Sequence, residues 1–260
     1  MIVVENLYKT YPPQKRGMVA TTALQQVSMT IRDGEFVCIV GPSGCGKTTL
    51  LHMVAGFESP SGGRILLDGQ EIQGPGADRA VVFQQAALYP WLSVYDNIAF
   101  GLKLKNLPRS QYDAKVRQFL KIMGLEGFER HAPYHLSGGM QQRAAIARAL
   151  ITQPKILLMD EPFGALDAQT RNDMQRFLLE LWQELRPTVL FITHDVEEAV
   201  LLGDRVIVMT ARPGRIARDF EVPFPRPRAW ELSLTPEFVA FKREVLSVLR
   251  PEVESAQRLA

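Results

Sequence analysis

Short runs of apolar residues, rich in β-branched side chains, recur along the 260-residue chain without alternating with polar positions. They cover residues 36–40, 80–83, 156–159, 189–192 and 206–209. Runs of this length and composition predict strands that are covered on both faces, as in a parallel sheet flanked by helices. The pattern therefore predicts an α/β fold with a mostly parallel sheet.

Both ends of the chain depart from this pattern. Near the N-terminus, half-polar segments such as residues 27–31 and 64–67 predict a small antiparallel layer around the first parallel strand. Toward the C-terminus, the proline-rich stretch 222–227 predicts a break before a final helix from about residue 236 to residue 249. We interpret residues 1–235 as one domain and residues 236–260 as a short helix and tail.

A helical period replaces the strand pattern in the middle of the chain. The apolar side chains of Val116, Phe119, Leu120 and Met123 fall on one helical face, and Gly124 marks a helix end. We expect helices from about residue 94 to residue 151, in a helical subdomain of about residues 88–153 inserted into the larger domain.

Composition narrows the class of protein. Hydrophobic residues make up 46% of the chain, charged residues 22%, and the formal net charge is +2. This balance gives no basis for a nucleic-acid partner or a polybasic membrane surface. The absence of an apolar run near eighteen residues predicts a cytosolic protein that reaches a membrane only through a partner. Two cysteines suit a reducing compartment.

The strongest chemical signal is the stretch GPSGCGKT at residues 41–48, which fits G-x-x-x-x-G-K-[ST] in full. It lies between a predicted strand and a predicted helix, where backbone N–H groups and the helix dipole bind phosphate. Lys47 is expected to reach the β- and γ-phosphates and Thr48 to ligate Mg²⁺. The expected ATP contacts are Gly41, Pro42, Ser43, Gly44, Cys45, Gly46, Lys47, Thr48 and Thr49.

Polar residues follow three further predicted strands. Gln84, Asp160 with Glu161, and His194 come directly after them. Because the carboxyl ends of parallel strands share one edge of a sheet, one site is implied there. Asp160 is the expected metal-side carboxylate and Glu161 the expected base for an attacking water. Taken singly, an Asp can be a cap, and a Gln or His at a strand end can be purely structural.

A second candidate anion-binding motif lies at residues 135–150, HLSGGMQQRAAIARAL. Ser137 is a residue type favoured at helix N-caps. Gly138 and Gly139, which have no side chains, are expected to leave the N–H groups of the first turn exposed. An apolar stripe at Met140, Ala144, Ala147 and Ile151 leaves Gln141 and Arg148 on another face. Two copies arranged head to tail could enclose two nucleotides between them; the alternative is a well-capped surface helix.

Taken together, these motifs resemble those of ABC-type ATPases, in the family's order and over residues 1 to about 215. Residues 136–143 are similar to the signature motif, 41–48 to Walker A and 156–161 to Walker B. Gln84 matches the Q-loop, Asp167 the D-loop, His194 the H-loop, and Tyr11 the aromatic A-loop position that stacks on adenine. Tyr11 could otherwise be an ordinary surface residue.

The resemblance implies a P-loop NTPase (RecA-like) core with ATP and Mg²⁺ as cofactors. It implies catalytic roles for Glu161, His194, Gln84 and Lys47. Thr48, Gln84 and, through water, Asp160 would hold the metal. In trans, Ser137, Gly138, Gly139 and Gln141 would contact the nucleotide of a second ATPase subunit, identical or a close paralogue. Asp167 would communicate across that interface.

A narrower likeness is carried by residues 74–102, 160–171, 193–209 and 211–228, which resemble the nitrate/sulfonate/taurine group of bacterial importers. It implies a subunit at the cytoplasmic face of the membrane, bound to integral permease subunits and served indirectly by an external substrate-binding protein. In this family the permease docks on the segment matching residues 85–92, where exposed Tyr89 and Trp91 would suit a protein contact. Local packing is the alternative for these aromatics. There are two alternative functions. The chain could serve an importer or exporter of another solute, or it could be an ABC-type ATPase without a transport role.

Overall fold

The computed structural model describes residues 1–13 and 19–258. Within them the strands are β1 (Ile2–Tyr11), β2 (Thr21–Ile31), β3 (Phe36–Val40), β4 (Gly62–Leu67), β5 (Gln70–Glu71), β6 (Arg79–Val82), β7 (Ile156–Asp160), β8 (Thr188–Ile192), β9 (Arg205–Met209) and β10 (Ile216–Glu221). The helices are α1 (Lys47–Ala55), α2 (Val94–Leu104), α3 (Arg109–Ile122), α4 (Gly138–Leu150), α5 (Ala168–Leu185), α6 (Val196–Leu202) and α7 (Pro236–Arg258). All five predicted apolar strands are confirmed, to within one residue at each end.

The chain divides into two compact units: unit 1 is Met1–Gly76 with Arg186–Ala260, and unit 2 is Ala77–Leu185. Unit 1 contains the predicted antiparallel layer, with strand order β2-β1-β4-β5. It also contains β10-β9-β3-β8, in which β3 pairs in parallel with both β8 and β9. Every residue of β3 and β8 is buried, as their unbroken apolar sequence requires.

Unit 2 combines the parallel pair β6–β7 with helices α2 to α5. The predicted apolar face of α3 is confirmed, since Val116, Phe119 and Leu120 are buried and α3 ends just before Gly124, whose φ is +63°. Buried Ile146 and Ala147 anchor α4 in the same way. The expected helices thus lie where the helical period placed them, grouped with β6, β7 and α5.

Two expectations about the fold need correction. The C-terminal helix runs to Arg258 rather than to about residue 249, passing through Pro251. A proline removes one helical hydrogen bond, and the next turn is held by the Glu252 carboxylate, which accepts from the Ala211 N–H at 2.8 Å. In β6 only Val82 is buried, so this strand is less covered than its apolar sequence suggested.

None of the helices in the described part of the chain combines the length and apolarity needed to cross a bilayer.

Candidate active site

The glycine-rich loop of unit 1 joins the end of β3 to the start of α1, as its sequence predicts. Gly46 caps α1 with φ +106°, and a Cβ there would lie 2.7 Å from Leu24 Cδ2 and 3.0 Å from the Ala23 carbonyl oxygen. Only glycine combines this dihedral with so close an approach to β2. The turn therefore delivers Lys47 and Thr48 to the first turn of the helix, where N–H groups lack helical partners.

Lys47 is held inside this loop and is only 7% exposed. Its ammonium donates to the carbonyl oxygens of Gly41 at 2.8 Å and Pro42 at 3.1 Å, and lies 4.0 Å from Cys45 Sγ. These acceptors offset the cost of taking the charge out of water. Burial raises the pKa of the Cys45 thiol, although the nearby Lys47 charge opposes that shift.

Tyr11 ends β1, and its hydroxyl is anchored beside α1. The hydroxyl donates to Glu58 Oε2 at 2.5 Å and shares a hydrogen bond with the Thr49 side chain. The Lys9 ammonium lies over the ring, 5.0 Å from its centroid. Burial raises the pKa of Tyr11, and the Glu58 hydrogen bond raises it further. The ring is thus fixed near the helix that follows the phosphate loop.

His194 reaches the same edge of unit 1 as the phosphate loop. It follows β8, whose Ile192 pairs with Ile39 of β3, and the Thr193 N–H donates to the Ile39 carbonyl at 3.2 Å. The His194 side chain is exposed. Asp195 then caps α6 by accepting from the Glu197 N–H at 2.8 Å. Adjacent parallel strands therefore place the loop and the histidine at neighbouring carboxyl ends.

In unit 2, Gln84 and the acidic pair follow adjacent parallel strands. Val82 pairs with Met159, so Gln84 and Asp160 leave the pair β6–β7 at the same end. Glu161 has φ +44°, a strained region for a non-glycine residue, and its carbonyl accepts from the Gly164 N–H at 2.9 Å. A Cβ on Gly164 would lie 2.9 Å from Gln84 Nε2, so the glutamine amide packs against the turn that carries Glu161. Strain at an acidic residue is typical of functional sites.

The second glycine-rich stretch caps α4 as predicted, with one correction. Ser137 Oγ accepts from the Met140 N–H at 3.3 Å, and Ser137 and Gly138 are exposed. Gly139 was expected to be exposed but is buried, because α5 packs closely against it. A Cβ at this position would lie only 2.8 Å from Thr170 Cγ2. Gln141 folds back and donates to the Leu136 carbonyl at 3.1 Å. The exposed tip of this helix is therefore Ser137 and Gly138.

Asp167 is exposed and caps the first turn of α5. Its carboxylate accepts from the Thr170 N–H at 3.0 Å and from the Thr170 hydroxyl at 2.6 Å. These hydrogen bonds lower the pKa of Asp167. The side chain thus has a structural role within unit 2, and the predicted role at an interface stays a prediction.

Two residues that the sequence did not single out for this role hold the stretch after β6 against α4. Gln142, 2% exposed, donates to the Phe83 carbonyl at 3.1 Å. Arg148 donates to the Ala87 carbonyl at 3.0 Å and the Ala86 carbonyl at 3.4 Å. A buried glutamine in a helix of apolar neighbours is the signal that could have revealed the first contact. The contacts of Arg148 could not be predicted from the sequence, since their acceptors are backbone atoms 61 and 62 residues away in the chain.

The proposed docking segment carries one exposed and one covered aromatic residue. Trp91 is 76% exposed. Tyr89 was expected to be exposed but is half-buried, because it packs 4.5 Å from the Phe100 ring and beneath the Arg148 guanidinium. Beside this segment lies a cavity of about 440 Å³, lined by residues that include Gln84, Gln85, Leu88, Tyr134, Gln141 and Leu166.

The donor chemistry suits a hard divalent cation. Mg²⁺ prefers oxygen ligands and is commonly held by one or two protein groups together with substrate phosphates. Within unit 1, Thr48 offers a hydroxyl in the first turn of α1. Within unit 2, Gln84 offers an amide oxygen after β6, and Asp160 offers a carboxylate at the end of β7. The sequence assigns Thr48, Gln84 and, through water, Asp160 to the metal, and this assignment stays a prediction.

A glycine-rich loop between strand and helix, with a second strand ending in two carboxylates, defines the class of P-loop nucleotide hydrolases. A family model described as ABC transporter matches residues 24–164. The chain is 49% identical to a taurine import ATP-binding protein of Pelagibacter ubique, over 95% of this chain and 94% of that protein. It is 46% identical to a nitrate import ATP-binding protein of a Synechocystis species, over 95% and 94%.

Among solved structures, a dimeric ATP-binding cassette in a post-hydrolysis state bound to ADP and Pi is similar, with a TM-score of 0.73 and 34% identity. That likeness covers 86% of this chain and all of the other. The chain belongs to the ABC transporter family, and it is an ATPase of that family. The predicted family, fold class and enzymatic activity are thereby confirmed.

Proposed function

We propose that this chain is the ATP-hydrolysing subunit of a bacterial importer for a small anion such as taurine, another sulfonate or nitrate. The observation that carries this proposal is the similarity, over nearly the whole chain, to proteins named for taurine import and for nitrate import. In such a system the anion itself is selected by an external binding protein and by membrane subunits. The contribution of this chain is the energy of ATP hydrolysis.

The catalytic roles follow from the chemistry of the side chains. Lys47 exchanges its bonds to loop carbonyls for bonds to the β- and γ-phosphates, and the N–H groups of the first turn of α1 bind the same anion. Glu161 accepts a proton from the attacking water, while Gln84 and His194 orient that water and the γ-phosphate. Tyr11 stacks on adenine. Thr48, Gln84 and, through water, Asp160 would hold Mg²⁺, which would neutralise phosphate charge when bound.

Two copies act together in this proposal. The exposed helix tip at Ser137 and Gly138, with Gln141, contacts the nucleotide held by the phosphate loop of the other copy. ATP then favours the closed dimer because it touches both halves only in that state. The dimeric state of the solved cassette bound to ADP and Pi supports this arrangement.

Coupling to the membrane subunits is assigned to residues 85–92 and the adjoining cavity. Trp91 offers a large exposed indole, a residue type favoured as an anchor in protein contacts. The opposing surface would be a short helix of the permease, which holds the chain at the cytoplasmic face of the membrane. Opening and closing of the ATPase dimer would drive alternating access through this contact.

The experiment that tests the proposal is uptake by the purified complex. The chain is isolated with its membrane subunits, reconstituted into vesicles and supplied with the external binding protein. ATP-dependent uptake of labelled taurine or nitrate is expected, with a neutral sugar as the control solute. Glu161→Gln should bind ATP and lower turnover by about a hundred- to ten-thousandfold. Uptake of the sugar but of neither anion would refute the assigned substrate class.

A further inference from the structure

The segment that joins β9 to β10, residues 210–215, lies against the phosphate loop. We call it the 210–215 loop. Arg212 donates from Nε at 3.2 Å and from Nη2 at 3.1 Å to the same acceptor, the Gly44 carbonyl oxygen. Arg212 lies in the stretch 211–228 that carries the narrower likeness, but no role has been assigned to it, although it touches the middle of the phosphate loop.

The 210–215 loop is closed by its own hydrogen bonds. The Thr210 N–H donates to the Arg215 carbonyl at 2.9 Å, and the Thr210 hydroxyl lies 3.1 Å from the Pro213 carbonyl and accepts from the Arg215 N–H at 3.0 Å. A loop with these internal bonds presents Arg212 from a defined backbone.

The backbone of this loop also packs directly on its neighbours. The Gly214 N–H donates to the Ala23 carbonyl at 2.9 Å, and the Gly214 carbonyl accepts from the Gln25 N–H at 2.9 Å. A Cβ at Gly214 would lie 2.0 Å from the Cys45 carbonyl oxygen, which no side chain could tolerate. The phosphate loop is therefore backed by the 210–215 loop and by β2.

The C-terminal helix holds the other side of the same loop. Glu252 Oε2 of α7 accepts from the Ala211 N–H at 2.8 Å, one residue before Arg212. A chain of contacts thus runs from α7 through Ala211 and Arg212 to Gly44.

The contact between Arg212 and the Gly44 carbonyl affects the backbone conformation of the phosphate loop at Gly44. Its φ is +73°, and the peptide plane that follows it is held at both ends. Arg212 fixes the Gly44 carbonyl, and the Cys45 N–H lies 3.3 Å from the Pro42 carbonyl, which also accepts from Lys47. The orientation of this plane determines the direction of one N–H group in the cradle that binds phosphate.

We infer that Arg212 is a positioning residue that pre-orders the phosphate loop for nucleotide, and that Glu252 of the C-terminal helix fixes the 210–215 loop from which it acts. The inference rests on the proposed function in one respect, namely that this loop binds ATP. When a competent conformation is only partly populated, the apparent dissociation constant rises by the inverse of that population. Losing Arg212 should therefore weaken binding without slowing the chemical step.

The test compares Arg212→Ala, Arg212→Lys and Glu252→Ala with the unmodified chain. Arg212→Ala is expected to raise the KM for ATP about three- to tenfold, because it removes one charged hydrogen-bond donor at an exposed site. The kcat should stay within about twofold of the unmodified chain. The affinity for ADP should fall by the same factor. Arg212→Lys keeps a donor and should recover most of the loss, and Glu252→Ala should raise KM about twofold. Arg218→Ala is the matched control, because it removes the same charge from an exposed pair with Glu244 on β10 and α7.

Amide hydrogen exchange of residues 41–46 without nucleotide gives a second readout, and it should be faster in Arg212→Ala than in Arg218→Ala. Equal KM, equal ADP affinity and equal exchange in these two variants would overturn the inference. So would a loss confined to ATP, which would mean that Arg212 touches the γ-phosphate itself. Should the complex transport neither anion, the proposed function fails, yet ADP binding and exchange still decide the role of Arg212.

Discussion

Arg148→Met is the substitution whose effect the structure specifies most fully. The guanidinium leaves α4 to bond the carbonyl oxygens of Ala87 and Ala86, and it lies 5.2 Å from the centroid of the Tyr89 ring. Burial lowers the pKa of Arg148, so part of the interaction energy offsets desolvation. Methionine keeps an unbranched apolar stem that ends where Nε of arginine lies, and it removes the charge and all the donors.

The expected loss is about 2 kcal/mol. A hydrogen bond from a charged donor contributes about 1.5–3 kcal/mol, the 3.4 Å contact adds little, and a cation–π contact at a partly solvated site adds about 0.5–1 kcal/mol before the cost of burial is subtracted. For a chain of this size, 1 kcal/mol corresponds to about 2–4 °C in melting temperature. Arg148→Met should therefore melt about 4–8 °C lower.

The assay is thermal denaturation followed by circular dichroism, with Arg250→Met on the exposed face of α7 as the control for loss of one arginine. Arg148→Lys should fall between the two, because it restores the charge and one donor without the planar fork. Since the residues held by Arg148 lie in the proposed docking segment, its loss should also weaken binding to the membrane subunits, measured by titration. A melting temperature equal to that of Arg250→Met would show that the contacts of Arg148 contribute no net stability.

Three further outcomes are expected. Ser137→Arg should abolish turnover while ATP binding stays close to that of the unmodified chain, measured by equilibrium binding; a loss of affinity as severe as that of Lys47→Ala would contradict the role in trans. Trp91→Ala should leave basal ATPase activity intact and lower transport in reconstituted vesicles, and unchanged transport would eliminate the proposed permease contact. Asp113 accepts from the Tyr95 hydroxyl at 2.7 Å and from Arg117 Nε at 2.8 Å, and these bonds lower its pKa to about 2. Because the folded pKa lies below the unfolded value of about 3.9, its contribution is present above about pH 4 and lost as the pH falls toward 2. Asp113→Asn should therefore be less stable than the unmodified chain in urea at pH 7, with a difference that shrinks below pH 4; a constant difference would argue against this linkage.

Three parts of the fold show which structural features can be predicted from local sequence and which cannot. The runs at β3 and β8 were predictable because a strand covered on both faces must be apolar throughout. The final helix was predicted too short because Pro251 is a local stop signal, whereas Glu252 supplies a tertiary contact beyond it. Tyr89 was expected at the surface because its ring partners, Phe100 and Arg148, lie eleven and fifty-nine positions away in sequence.

The class of site in this protein can be predicted from the sequence. A phosphate loop between strand and helix, a serine N-cap and a carboxylate pair after a buried strand all depend on residues within a few positions of one another, so their chemistry can be read locally. The contacts that surround these local motifs depend on the folded chain: Gln142 bonds to Phe83, Arg148 to Ala87 and Arg212 to Gly44. In each case the acceptor is a backbone carbonyl, which every residue type provides. No pattern of side chains could mark such a partner, and only the folded path of the chain selects it.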